Sequence, residues 1–294
     1  MKNIFKGLGI ALVTPFCENG DVDYDALKQI VSYQIENGAD FLCILATTGE
    51  VPTLTDEEKQ QIKELIVSTV AGRVPILIGC GGNNTYAVCH ELKTADFTGI
   101  DGVLSICPYY NKPTQEGLFQ HFKAISEASP LPIILYNVPA RTGVNLAAET
   151  TCRLARECDN IVCIKEASGN IEQIVKILHD KPEDFDVISG DDGLTLQITK
   201  EGGVGVISVI GNAYTKLYSQ FVHHATEGRF AEAEAIDTKL KDLYRLLFVD
   251  GNPAGIKALM ANMGLLSNVL RLPLVPARSE TQQQIIEVMK IQDC

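Results

Sequence analysis

Lys165 closes an apolar run, Ile161-Val162-Cys163-Ile164, and is followed by Glu166-Ala167-Ser168-Gly169-Asn170, a turn that leads into a helix. Burial disfavours an ammonium ion and leaves a nucleophilic amine, and the chemistry that uses such an amine is Schiff-base formation with a carbonyl compound. A lone strand-end lysine more often snorkels to solvent. The balance shifts because further chemistry sits at the ends of other apolar runs. Tyr136 opens Tyr136-Asn137-Val138-Pro139-Ala140-Arg141, Thr47-Thr48-Gly49-Glu50 follows a second run, and Pro108-Tyr109-Tyr110-Asn111 follows a third.

When an amine attacks a ketone, the carbinolamine must lose water and the imine a proton, so a proton shuttle must stand close by. Tyr136 fits that role if Thr47 and Tyr110 relay its proton to solvent. Backbone N–H groups of the Thr47-Thr48-Gly49 turn suit a substrate carboxylate, as glycine-containing turns often hold anions. Arg141 can grip a second carboxylate through its planar fork, which lysine lacks. Each residue also has an ordinary role: tyrosine at an interface, threonine in a turn, arginine in a surface ion pair. Their coincidence at matching strand ends is what the ordinary roles leave unexplained.

Those ends must be brought together. Eight apolar, β-rich runs at 9–16, 41–46, 75–80, 102–107, 132–138, 161–166, 185–189 and 205–210 alternate with amphipathic helical stretches. Thr55-Asp56-Glu57-Glu58 is a capping box, followed by Ile62, Leu65, Ile66 and Val70 at helical spacing. Strands apolar on both faces belong in a parallel sheet covered by helices. The repeat predicts an α/β (β/α)8 barrel, a TIM barrel, whose strand ends share one pocket; an open doubly wound sheet is the alternative. Beyond Ile210 only helical segments remain, at 230–247, 253–263 and 280–290, the last after a Pro-containing link at 271–276. We therefore expect a catalytic barrel over 1–226 and a C-terminal helical appendage over 227–294.

The 294 residues, 46% hydrophobic, are ample for such a core, and the formal charge of −12 argues against a nucleic-acid surface. An acidic chain acting on anionic substrates must supply its cations locally. The nine cysteines form no C-x-x-C pair, and several lie inside apolar runs, which suits a reducing compartment. The five histidines show no metal-ligand spacing. The run 7–13 is short and meets Pro15, so it reads as a first strand and not a signal peptide; no run is long enough to span a membrane, and a cytoplasmic location is expected. Gly79-Cys80-Gly81-Gly82-Asn83-Asn84 lacks the third glycine of a dinucleotide fingerprint. A phosphosugar aldolase would set phosphate beside Gly190-Asp191-Asp192 with no cation until Lys216, which charge repulsion opposes.

These motifs, with Ile164-Lys165-Glu166-Ala167 and Ser189-Gly190-Asp191-Asp192, resemble the dihydrodipicolinate synthase family over essentially the whole chain. The family belongs to the pyruvate-dependent class I aldolases, as does N-acetylneuraminate lyase. The resemblance implies a Schiff-base-forming lyase that condenses pyruvate with L-aspartate 4-semialdehyde, giving 4-hydroxy-tetrahydrodipicolinate for lysine and diaminopimelate biosynthesis. It implies no metal and no cofactor beyond the covalent imine on Lys165. Tyr136 becomes the shuttle, Thr47 the relay, Thr48 a pyruvate contact and Arg141 the clamp for the semialdehyde carboxylate, with backbone at Gly190 and Ile207 lining the site. Tyr110 is implied to enter the neighbouring subunit's site across a tight dimer, two of which form a homotetramer. Lys165 and Tyr136 are shared across the superfamily, so another pyruvate aldolase of the N-acetylneuraminate lyase kind stays open, as does a non-catalytic regulatory barrel. Ala46 replaces a usual glycine, a tolerable change. Lysine-inhibited members usually carry serine near Val51, histidines near Asp56 and Lys59, and glutamate at Ala87, so weak or absent lysine feedback is expected.

Overall fold

A computed structural model describes residues 1–292. Eight parallel strands close in sequence order: β1 Gly7–Ala11, β2 Phe41–Ile44, β3 Ile76–Gly79, β4 Gly102–Ile106, β5 Ile133–Asn137, β6 Ile161–Glu166, β7 Asp186–Ser189 and β8 Gly205–Ser208. β1 pairs with β8, Gly7 opposite Gly205, so the sheet has no free edge and the open-sheet alternative is excluded. Alternate residues fill two cores. Phe41, Leu77, Leu104, Ile134, Ile188 and Ile207 pack inside the barrel, while Leu42, Ile76, Val103, Ile133 and Val187 pack outward against the helices. That double burial is why the strands read as continuous apolar runs.

The covering helices are α1 Tyr24–Glu36, α2 Asp56–Val70, α3 Thr85–Thr94, α4 Gln115–Ala128, the single turn α5 Pro139–Thr142, α6 Ala148–Glu157, α7 Ile171–Asp180, α8 Thr195–Lys200 and α9 Thr215–Thr226. The capping box forms at α2 as its sequence demands: Thr55 Oγ1 accepts from Glu58 N, and Glu58 Oε2 accepts from Thr55 N at 2.9 Å. The first strand departs from expectation. It ends at Ala11, and Phe16 makes only an isolated antiparallel bridge to Val22. Leu12 N still reaches Cys43 O, but Val13 N is taken by the Asn212 side chain and Pro15 has no N–H to offer, so the chain leaves the sheet.

α10 Phe230–Val249, α11 Ala254–Asn262 and α12 Ser279–Gln292 follow. They are sewn onto the barrel. Tyr244 of α10 meets Tyr218 of α9 edge-on at 6.3 Å, and the chain then returns to the mouth of the barrel at Asn252, Lys257 and Arg271. The last two residues of the segment expected over 227–294, the ninth cysteine among them, lie outside the described residues. Among the described residues, no helix is long and apolar enough to cross a membrane.

Candidate active site

β5 and β6 pair so that Tyr136 stands opposite Lys165, and Lys165 Nζ lies 4.4 Å from the Tyr136 ring centroid. Both residues are 6% exposed. Among the described residues no carboxylate and no hydrogen-bond acceptor holds Lys165. Its neighbour Glu166 points to the opposite face of the strand, as pleating requires, where Asn137, Ser168 and Gln173 donate to it at 2.6, 3.0 and 3.2 Å. Loss of water pushes the Glu166 carboxyl up to about 7 against those three donors. Burial likewise raises the Cys43 thiol to about 11, and Lys165 is the cation that opposes the rise. The amine therefore faces the barrel interior and its mouth. Gly190 leaves it room: a Cβ there would lie 3.0 Å from Lys165 Cε and 2.7 Å from Ala167 Cβ.

Lys165 and Gly190 line a cavity of about 560 Å³ together with Thr47, Thr48, Tyr136 and Arg141. A second cavity of about 400 Å³ shares Thr47, Tyr136 and Arg141 and runs on past Tyr109 to Pro273 and Leu274. Five of the expected site residues thus converge on the amine.

Thr47–Gly49 forms a 3-10 turn, and the N–H groups of Thr47 and Thr48 have no partner among the described residues. The turn is fixed from two sides. Thr14 Oγ1 donates to Gly49 O at 2.7 Å, and Asn252 Nδ2 donates to Thr48 Oγ1 at 3.0 Å. Leu45 (φ 48°) and Glu50 (φ 54°) flank it in the left-handed region, where non-glycine backbone is strained. Ala46 itself sits at φ −116°, which alanine adopts freely, so its replacement of glycine carries no backbone penalty. Arg141 rides on α5 with one guanidinium N–H on Asn252 O at 3.4 Å and no other side-chain partner among the described residues.

Two expected residues stand apart. Tyr110 is 90% exposed, holds a positive φ of 70° and lines neither cavity, so no relay from it to Tyr136 exists within one subunit. Ile207 is buried in the barrel interior and also lines neither cavity. Asp192 turns inward to accept from Val209 N and Ile210 N, at 3.0 and 2.9 Å, whereas Asp191 faces the cavity. Sequence reasoning missed Asn252 and Arg245, which reach the cavity from the turn after α10 and from α10 itself. Neither lies at a strand end, and only the Gly251-Asn252-Pro253 turn hinted at a special position. Among the described residues, no three His, Cys, Asp or Glu side chains gather where they could hold a metal ion.

A buried, unpaired lysine beside a tyrosine, with free N–H groups and an arginine across the cavity, can form an imine with an α-keto acid. Comparison with known proteins agrees with that chemistry. The chain is 57% identical to the 4-hydroxy-tetrahydrodipicolinate synthase of Phocaeicola vulgatus over 97% of its length and 96% of the relative's. It superposes on the dihydrodipicolinate synthase of Thermotoga maritima with a TM-score of 0.96, 41% identity and 99% of each chain covered. A further solved relative, described as a monomeric dihydrodipicolinate synthase variant, gives a TM-score of 0.95 at 41% identity, covering 99% of this chain and 97% of its own. The family model described as the Dihydrodipicolinate synthetase family matches residues 4–292, and the chain belongs to that family.

Proposed function

We propose that the chain condenses pyruvate with L-aspartate 4-semialdehyde through an imine on Lys165, giving 4-hydroxy-tetrahydrodipicolinate. The observation that carries this reading is the unpaired Lys165 amine opposite Tyr136 in the cavity of Arg141 and the free Thr47 and Thr48 N–H groups. Lys165 Nζ adds to the keto carbon of pyruvate, whose carboxylate sits on those N–H groups and the Thr48 hydroxyl. Tyr136 delivers the proton that lets the carbinolamine lose water, and loss of a methyl proton gives the enamine. The enamine carbon attacks the aldehyde, whose oxygen takes up a proton, while Arg141 holds the aldehyde's carboxylate. The amine of the former aldehyde then displaces Lys165 from the imine carbon and closes the ring. The imine supplies the electron sink, so the route calls on no separate cofactor.

Thr47, which lines both cavities with Tyr136, relays its proton, and Tyr110 completes the relay from a second subunit. The exposed pair Tyr109 and Tyr110, with the strained backbone of Tyr110, supports a surface that a partner covers. The assembly is a homotetramer of such dimers. The eight described cysteines are all free, which fits a cytoplasmic setting.

Borohydride reduction in the presence of pyruvate, read by intact mass, tests the core of the reading: one pyruvate-derived adduct on the Lys165 peptide is expected. Turnover of pyruvate with aspartate semialdehyde, N-acetylmannosamine and glyceraldehyde then fixes the second substrate, and preference for either of the last two overturns the assignment. Mixed Lys165→Ala and Tyr110→Phe subunits should recover partial activity. Exchanged heterodimers without turnover would remove Tyr110 from a partner's site.

A further inference from the structure

Arg245 projects from α10 into the cavity of Lys165, Arg141 and Asp191. Every other arginine of the chain is held by a carboxylate or a carbonyl oxygen, from Arg73 on its helix end to Arg278 on Asp250. Arg245 alone has neither an ion pair nor a hydrogen bond among the described residues. Asp191, on the same cavity, has one oxygen on Gly193 N at 3.0 Å and no ion pair among the described residues. Two opposite charges therefore share a cavity without neutralising each other. That is an arrangement suited to a ligand carrying both signs.

We infer that Arg245 and Asp191 form the outer half of the aldehyde site and select an aldehyde bearing an α-ammonium and an α-carboxylate. The inference rests on the function proposed above. Arg245 takes the carboxylate jointly with Arg141, each guanidinium using part of the four lone-pair positions a carboxylate offers. Asp191 takes the ammonium. The two charges come from adjacent elements, α10 and the turn after β7, where a Cβ on Gly193 would touch both Asp191 Oδ1 and the Tyr244 ring at 3.5 and 3.6 Å, so a simple aldehyde lacking either group leaves one of them unanswered. The pyruvate end is untouched, because its carboxylate meets backbone N–H groups at Thr47 and Thr48.

The test is steady-state kinetics of Arg245→Ala, Arg245→Lys and Asp191→Asn with aspartate semialdehyde, together with inhibition of that reaction by succinic semialdehyde, which lacks the ammonium and so cannot close the ring. Arg245→Ala should raise KM for aspartate semialdehyde about tenfold at physiological salt, with KM for pyruvate and borohydride trapping unchanged. Arg245→Lys should recover only part of the loss, since a point charge replaces the fork. Asp191→Asn should raise KM for aspartate semialdehyde and leave inhibition by succinic semialdehyde unchanged. A thermal melt checks folding, which the exposed and unpaired Arg245 does not support. An Arg245→Ala effect that vanishes at high ionic strength would mean long-range steering and overturn the contact. So would an unchanged KM for the semialdehyde, or equal effects on both substrates. If wild-type protein itself forms no pyruvate adduct or fails to turn over aspartate semialdehyde, the parent reading fails instead, and the two failures are distinct.

Discussion

Lys165 and Lys257 are both buried lysines at the mouth of one barrel, and their surroundings could hardly differ more. Lys257 is fully buried and ion-paired with Glu50, donates to Val269 O at 2.9 Å and lies 4.2 Å from the Phe16 ring centroid. Lys165 has an aromatic face at a similar distance and, among the described residues, neither a counter-ion nor an acceptor. Desolvation pulls Lys257 down to about 8 even with Glu50 attached. Judged by its titration, Lys257 is the conspicuous group; judged by its partners, it is spoken for. A perturbed lysine is a candidate nucleophile only when its lone pair has somewhere to go. Lys257 stands over no substrate cavity. It anchors the Thr47–Glu50 turn that Lys165 uses, because Glu50 also receives Arg271 N at 3.2 Å.

Alanine at Lys165 gives the largest contrast. Turnover should fall by more than about a thousandfold and the borohydride adduct should disappear, as when a covalent nucleophile is removed. The melting temperature should stay near wild type, since truncation at the mouth leaves no sealed cavity. Undiminished trapping in the variant would move the nucleophile elsewhere. Lys257→Met should do the reverse. It leaves Glu50 as an uncompensated buried carboxylate, a change that costs roughly 3–5 kcal/mol. Chemical denaturation should show that loss, and the Lys257→Met/Glu50→Gln double variant should recover a good part of it. A stable Lys257→Met protein would erase the distinction between the two lysines.

The same contrast marks how far the sequence could be read. Lys165 was legible because an apolar run that ends in a polar turn places its last residue at the mouth of a parallel barrel, and β6 spans Ile161–Glu166 as that run predicts. The capping box at Thr55 was legible for a similar reason, both partners being three residues apart. Glu50 and Lys257 are 207 residues apart, and no local pattern announces such a pair. Arg245 and Asn252 escaped because they sit on and after a helix whose place over the mouth is set by tertiary packing, chiefly Tyr244 against Tyr218. Tyr110 was legible as a residue type but not as a placement, since no local pattern announces that it stands 90% exposed and outside both cavities.

Glu166 sharpens the comparison from the carboxylate side. It is the nearest acid to Lys165 in sequence, yet it faces away and stays desolvated behind β6. Its folded-state value near 7 exceeds the roughly 4.3 of an unfolded glutamate. Between those pH values the folded state holds the extra proton, so this group's contribution is fully present below about 4.3 and is lost as pH rises through 7. The loss amounts to about 4 kcal/mol over the window. Unfolding free energies of wild type and Glu166→Gln between those limits should therefore diverge, the variant lacking this descent. Parallel curves would mean that the carboxyl ionises freely and that some cation, Lys165 included, answers it.

The smallest expected effect concerns a lysine that is not part of the chain. Free lysine offered to this enzyme faces the requirement that Lys257 meets with Glu50: an ammonium that leaves water needs an acceptor. Relatives inhibited by lysine are expected to offer histidines and a glutamate near Asp56, Lys59 and Ala87. Here Asp56 already pairs with Lys59 at 3.0 Å, and Ala87 has no acceptor to give. Asn83 donates its Nδ2 to Tyr109 O at 3.1 Å, which leaves only its Oδ1, a neutral acceptor, for an ammonium. An absent charge-assisted contact costs roughly 1.5–3 kcal/mol, enough to weaken binding by about tenfold or more. Activity measured against rising lysine should therefore hold until concentrations well above about a millimolar, where binding is worth only about 4 kcal/mol. Ala87→Glu should strengthen inhibition by restoring one acceptor. Half-inhibition of the wild type at or below about a millimolar would show that a bound lysine finds an acceptor in this chain as Lys257 finds Glu50.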